Sequence, residues 1–315
     1  MKRWVRGMRD AFFDSLYAIA RKDRNVILVS SDTGAICFER FKRELPSQYI
    51  NVGIAEQNLI GVAAGMSMAG KTVYVYAIVP FATMRCYEQI RVDLCCMHLP
   101  VTVVGIGAGL DYSTLGPTHH GTEDIALMNA LPGMTIYSPS DSRMVDSVVA
   151  ASYRGPGPKY IRIDRTGLPL IYTDKHGIDM ERGFSVLRPG NRACIIATGR
   201  MSYTAVKVAR RLARESIGVA VIDLFRIKPL NEKALWNTVK DFTHIITLEE
   251  HFVTSGIGAI MAGIIVRKRS RARISSFGLP EEFCRRYGTR DYLHSIYRLD
   301  EGSLCEDIRS RCLKK

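Results

Sequence analysis

Two hydrophobic periodicities alternate along the chain. Short runs of consecutive β-branched and aromatic residues at 25–31, 72–78, 101–106, 134–137 and 160–163 read as buried strands. Between them, 56–69, 87–97 and 142–152 carry apolar residues at helical period. The first of these helices contains Gly61, Ala63, Ala64 and Gly65, small residues that permit close packing. Strands alternating with helices predict an α/β fold, a mainly parallel sheet flanked by helices, because parallel neighbours require a crossover.

Around 182–192 the pattern restarts after a loop containing Pro189 and Gly190, which marks a boundary between two units. Beyond it, strands at 193–197, 219–224 and 244–248 alternate with helices at 203–215 and 232–239, predicting a second, smaller α/β unit followed by a basic tail. The chain shows no internal repeat.

Composition adds limits. At 315 residues, 47% apolar and 24% charged, the chain is ordinary globular material with length for two domains. It contains no run of about 18 uncharged apolar residues, so no membrane span is expected. Asp10 and Asp14 interrupt the apolar stretch behind Met1-Lys2-Arg3, arguing against a secretory signal and for the cytoplasm. The eight cysteines form no Cys-x-x-Cys pair, and no Cys/His cluster has zinc spacing, so no metal ligands are expected in this chain.

The net charge is 44 − 31 = +13, and residues 267–315 hold 13 basic against 7 acidic side chains. No aromatic interrupts the basic run from Arg267 to Arg273 to stack on bases, so it reads as a solvated or partner-facing surface, with a nucleic-acid-binding scaffold as the non-enzymatic alternative. Gly105-Ile106-Gly107-Ala108-Gly109 has its third glycine too early for a dinucleotide fingerprint, and a loop containing Pro117 follows it rather than a helix.

Two segments carry candidate chemistry. Asn51-Val52-Gly53-Ile54-Ala55-Glu56-Gln57-Asn58 passes from a strand-like run into a helix, putting Glu56 at the carboxyl edge of the sheet, where open α/β sheets bind ligands. Apolar neighbours would raise its pKa and let it share a proton with a ring nitrogen; the alternative is a first-turn carboxylate favoured by the helix dipole. Leu115-Gly116-Pro117-Thr118-His119-His120-Gly121-Thr122-Glu123-Asp124 sets adjacent histidines in a loop before a helix. They suit proton transfer or hydrogen bonding to a carbonyl; alternatively, one caps the helix and the other faces solvent.

These two segments, with Pro139-Ser140-Asp141 and Leu248-Glu249-Glu250-His251, resemble the C-terminal half of transketolase, in the form of a stand-alone subunit of a split enzyme. The resemblance covers nearly the whole chain and implies a pyrimidine-binding domain over 1–173 and a transketolase C-terminal domain over 183–315. It implies thiamine diphosphate as cofactor, with Glu56 protonating the aminopyrimidine ring so that its amine can deprotonate the thiazolium carbon. Phe81, in Pro80-Phe81-Ala82-Thr83-Met84-Arg85, matches the aromatic that stacks on the pyrimidine, although a core phenylalanine would look the same. Asp32 matches an aspartate near the cofactor. His119 matches the histidine that hydrogen-bonds substrate oxygen where charge develops, and His120 stands beside it in a supporting place. Arg9 and Arg165 match arginines that grip a sugar phosphate, although Arg9 could equally be a helix-surface charge.

The chain departs from the family pattern at Leu115, where an aspartate usually reads a substrate hydroxyl, and at Gly107, where a histidine is usual. A site without that hydroxyl partner discriminates the hydroxyl less sharply, so a modified sugar is expected alongside ordinary sugar phosphates. Gly-Asp-Gly, with which the family holds the diphosphate and its Mg2+ or Ca2+, is absent. A separate N-terminal subunit carrying that motif, in an α2β2 assembly, is therefore implied. The alternatives within the superfamily are a deoxyxylulose-phosphate-synthase-like enzyme and a 2-oxo-acid dehydrogenase β-like subunit.

Overall fold

The computed structural model describes residues 6–34, 36–165, 167–172 and 178–312. Its elements run α1 (Met8–Ala20), β1 (Val26–Ser30), α2 (Glu39–Glu44), β2 (Tyr49–Asn51), α3 (Glu56–Met68), β3 (Thr72–Ile78), α4 (Val79–Thr83), α5 (Tyr87–Gln89, continuing as a π-helical turn over Ile90–Cys96), β4 (Thr102–Ile106), α6 (Asp124–Ala130), β5 (Thr135–Tyr137), α7 (Ser142–Arg154) and β6 (Lys159–Ile163). There follow β7 (Phe184–Arg188), β8 (Ala193–Ala197), α8 (Arg200–Ala213), β9 (Val219–Leu224), β10 (Arg226–Lys228), α9 (Glu232–Val239), β11 (His244–Phe252), α10 (Ile257–Arg267), β12 (Arg273–Leu279), α11 (Arg290–Ile296) and α12 (Glu301–Asp307).

The first sheet has the order β10-β5-β6-β4-β3-β1-β2, parallel except for β10, which is antiparallel to β5. Its central strands are buried on both faces, so they are mostly apolar, with Arg162 and Lys159 of β6 as buried exceptions, and the alternation lies in which layer each residue fills. Ile27 and Val29 face α3, packing with Leu59, Ile60 and Ala63. Val26 and Leu28 face α1 and α7, packing with Phe12, Leu16 and Val145. Asp141 caps α7 by accepting from the Met144 amide (2.8 Å), while its other oxygen takes the amides of Ile171 and Tyr172.

The second sheet has the order β12-β11-β8-β9-β7, parallel except for β7, which is antiparallel to β9. The sequence pattern left out β7, β10 and β12, and the β10 pairing crosses the boundary it predicted, lending residues 226–228 to the first sheet. Through residue 312 the expected basic tail is a folded part of the second unit, and its last three residues lie outside the described ones. Arg267 and Lys268 close α10 and pair with Glu232, Arg273 opens β12, and Arg290 is almost fully buried at the start of α11. Among the described residues, no helix is long and apolar enough to cross a membrane.

Candidate active site

Five strands of the first sheet end at one edge, and the candidate residues lie just beyond them. β1 runs into Ser31 and Asp32; β2 ends at Asn51 and leads into Glu56 at the start of α3; β3 feeds α4, which carries Phe81; β4 opens the loop with His119 and His120; β6 leads to Asp164 and Arg165. Arg9, in the first turn of α1, reaches the same edge, since Gly7 before it sits against the Arg165 carbonyl.

The Glu56 carboxylate is buried, 3% exposed, at the N-terminus of α3. Its neighbours are not the purely apolar ones expected from the sequence: Ser31 Oγ donates to Oε1 at 3.3 Å and Arg85 Nη1 to Oε2 at 2.7 Å. The carboxylate is therefore paired with a guanidinium rather than set among apolar side chains alone. The Arg85 guanidinium also lies 4.1 Å from the centre of the half-buried Phe81 ring, whose other neighbour is the His119 imidazole, with 5.2 Å between ring centres. Glu56, Arg85, Phe81 and His119 thus form one continuous strip.

Neither histidine caps α6, whose N-cap residue is Glu123. His119 is half-buried, with Nδ1 2.9 Å from Thr118 Oγ1, and burial together with the Arg85 charge pushes its pKa down, so the ring is neutral near pH 7. A neutral imidazole retains one donor and one acceptor for a developing charge. His120 is buried, its pKa lowered by the same desolvation against the opposing Glu250 charge, and among the described residues its Nε2 has no hydrogen-bond partner.

Asp32 stands apart. Exposed, with φ +54°, it accepts from Asn51 Nδ2 at 3.0 Å and makes none of the contacts that join the strip. Arg9 and Arg165 converge on a residue that sequence reasoning passed over, Tyr112. The Arg165 guanidinium lies 4.3 Å from the Tyr112 ring centre, Arg9 is close enough to act on the phenol, and the His119 ring is 5.9 Å away. A Cβ on Gly107 (φ +90°) would fall 2.2 Å from Tyr112 Cε2, so the tyrosine ring fills the space above the glycine where the family pattern has a histidine.

The second unit fixes this loop from behind. Glu250, buried in β11, accepts from the Leu110 amide (3.0 Å) and from Arg290 Nε (2.9 Å) and pairs with His294; a Cβ on Gly109 (φ +59°) would strike its carboxylate. Burial alone would raise the Glu250 pKa, but Arg290 and His294 hold it well below the usual carboxylate range. Arg290 also bonds the Ala108 carbonyl (3.1 Å) and Asp164 (2.9 Å), and its Nη1 lies 3.4 Å from Asp111. Burial and the nearby Asp164 push Asp111 up to about 6 against Arg290. The missed residues differ in legibility. Arg85 follows Phe81 by four positions and Glu250 lies in a quoted motif, whereas nothing local marks Tyr112 or Arg290.

Residues 6–169 match the family model for the transketolase pyrimidine binding domain, and residues 183–303 that for the transketolase C-terminal domain. The chain is 32% identical over 299 residues to one subunit of the apulose-4-phosphate transketolase of Phocaeicola vulgatus, covering 95% of each chain. It is 33% identical over 257 residues to the 6-deoxy-6-sulfo-D-fructose transketolase subunit SqwH of Clostridium sp., covering 81% of this chain and 79% of the relative. The solved structure of a split gene transketolase, described as an inactive beta4 tetramer, superposes with a TM-score of 0.88 at 29% identity, covering 98% of this chain and 99% of the other.

Proposed function

This chain belongs to the transketolase family, and we propose that it is the C-terminal subunit of a two-component transketolase, dependent on thiamine diphosphate, that moves a two-carbon ketol unit from a ketose to an aldose. The observation that carries this reading is the buried Glu56 joined through Arg85 to the face of Phe81, against which the His119 ring stands edge-on.

These residues fit the pyrimidine end of the cofactor: a buried carboxylate suits a ring nitrogen, and a half-buried phenyl suits a flat heteroaromatic face. When bound, thiamine diphosphate supplies a carbon nucleophile that holds the two-carbon unit between donor and acceptor. Glu56 holds the proton at the pyrimidine ring, Phe81 orients that ring, and Asp32 and Asn51 border the cofactor at the ends of the first two strands. His119, neutral, hydrogen-bonds substrate oxygen beside the reacting carbon, and His120 supports it from the buried side. Arg9 and Arg165 bind the terminal anionic group of the sugar.

The diphosphate and its Mg2+ or Ca2+ belong to an N-terminal partner subunit with a Gly-Asp-Gly motif, assembled as α2β2. Among the described residues of this chain, no group of three or more His, Cys, Asp and Glu could hold a metal. Relatives named for apulose 4-phosphate and 6-deoxy-6-sulfo-D-fructose, together with Leu115 and Gly107, support a modified anionic sugar as substrate rather than nucleic acid or a membrane. The units span 1–173 and 183–315, and the seven free cysteines among the described residues suit the cytoplasm. Purified with its partner, the chain is expected to transfer ketol units only with thiamine diphosphate and a divalent ion present. Carbon dioxide release from pyruvate in place of transfer would overturn the reading in favour of an oxo-acid-decarboxylating enzyme.

A further inference from the structure

The loop after β4 presents one aromatic group to which none of these roles applies. Tyr112 is half-buried, and among the described residues its hydroxyl has no hydrogen-bond partner. The ring is set in place from several sides. It lies over Gly107, where a side chain of any size would collide with it, against the Arg165 guanidinium at 4.3 Å, and 5.9 Å from the His119 ring centre. The main-chain carbonyl of Tyr112 accepts from the Leu115 amide at 2.9 Å, which fixes the turn that carries it.

The charges around the phenol are unevenly satisfied. Arg165 Nε is 3.6 Å from Asp111 Oδ2 and Arg9 Nε is 3.5 Å from Asp10 Oδ1, both in ion-pair contact, yet among the described residues both Nε groups are buried without a hydrogen-bond acceptor. Burial raises the Tyr112 pKa against the two arginines, so the hydroxyl remains a donor at neutral pH. A fixed phenol donor flanked by two guanidiniums is complementary to a tetrahedral oxyanion, whose several oxygens accept more hydrogen bonds than either arginine alone supplies.

We infer that Tyr112 is a specificity-determining residue whose hydroxyl hydrogen-bonds the terminal tetrahedral oxyanion of the sugar substrate, between Arg9 and Arg165. This deepens the substrate reading above and rests on it for the identity of the ligand as a sugar. The oxyanion can be a phosphate monoester or a sulfonate, since both present tetrahedral oxygens to the same donors.

The test is direct binding of methyl phosphate and of methanesulfonate to the full chain, by calorimetry, which requires neither cofactor, partner nor turnover. Tyr112→Phe keeps the ring over Gly107 and removes only the hydroxyl, so it is expected to weaken the preferred anion by about tenfold. Arg165→Gln weakens it further, and Arg91→Ala, on the exposed surface away from the site, leaves it within about twofold. Tighter methyl phosphate indicates a phosphorylated sugar and tighter methanesulfonate a sulfonated one; either supports the inference. In the reconstituted complex, Tyr112→Phe raises KM for anionic sugars with kcat nearly unchanged and leaves uncharged analogues unaffected, the signature of lost ground-state binding. Equal anion affinity for Tyr112→Phe and the parent chain, or no anion binding by the parent chain, would overturn it. Anion binding that responds to Tyr112 in a complex without ketol transfer would instead sink only the transketolase reading.

Discussion

Arg85 Nη1 lies 2.7 Å from Glu56 Oε2, pairing a guanidinium that is 44% exposed with a carboxylate that is 3% exposed. Most of the desolvation in this pair falls on the acid, so removing the base leaves a buried carboxylate with only the long Ser31 contact. Arg85→Met is therefore expected to destabilise the chain by about 1–2 kcal/mol in urea unfolding. Arg85→Lys should recover part of the loss. The exposed pair Arg91 and Glu88, although bonded twice at 2.8 Å, is the control: Arg91→Ala should leave the unfolding midpoint unchanged.

A deeper pair sits beneath the site loop. Arg162 Nε and Tyr160 Oη both lie 2.7 Å from Asp124 Oδ2, with arginine and aspartate almost wholly buried. Arg162→Met should cost about 3–5 kcal/mol, because it strands a buried charge. Arg162→Met combined with Asp124→Leu should recover most but not all of this, since the Tyr160 hydroxyl then loses its acceptor. Unfolding midpoints of the two variants check the order.

The contact between the two units gives a pH dependence with a defined sign. Asp223 accepts from Ser140 (2.6 Å), Ser202 (2.7 Å) and Tyr172 (2.8 Å), and burial pushes it up to about 6 against those hydroxyls. A carboxyl whose folded pKa exceeds its unfolded value of about 3.9 binds its proton more tightly when folded. Its contribution to stability is therefore fully present below about pH 4 and is lost as pH rises towards 6. Asp223→Asn should flatten the stability profile between pH 4 and 6 relative to the parent chain, as measured by unfolding midpoints at several pH values. A steeper profile in that window would contradict the assignment.

The central strands were legible because burial on both faces makes them continuous apolar runs, and the motif at Glu56 because its strand, turn and helix are contiguous in sequence. β10, three residues long, is too short to show a period, and it joins the first sheet through a long-range pairing with β5. β12 lies at the sheet edge with an exposed and partly buried pattern, which let its basic entry read as a tail. The site shows the same division. Phe81 and Arg85 are four positions apart on one turn, whereas Tyr112 meets Arg165, and Arg290 meets Asp111, only through tertiary packing.

The most direct measurement is ketol transfer by the complex of this chain with its diphosphate-binding partner, at saturating thiamine diphosphate and Mg2+, comparing Glu56 with Glu56→Gln. The substitution is nearly isosteric and removes the proton-holding group. Transfer is expected to fall by about 10²–10⁴-fold while the complex still assembles. Transfer by the Glu56→Gln complex at the parent rate would contradict the account.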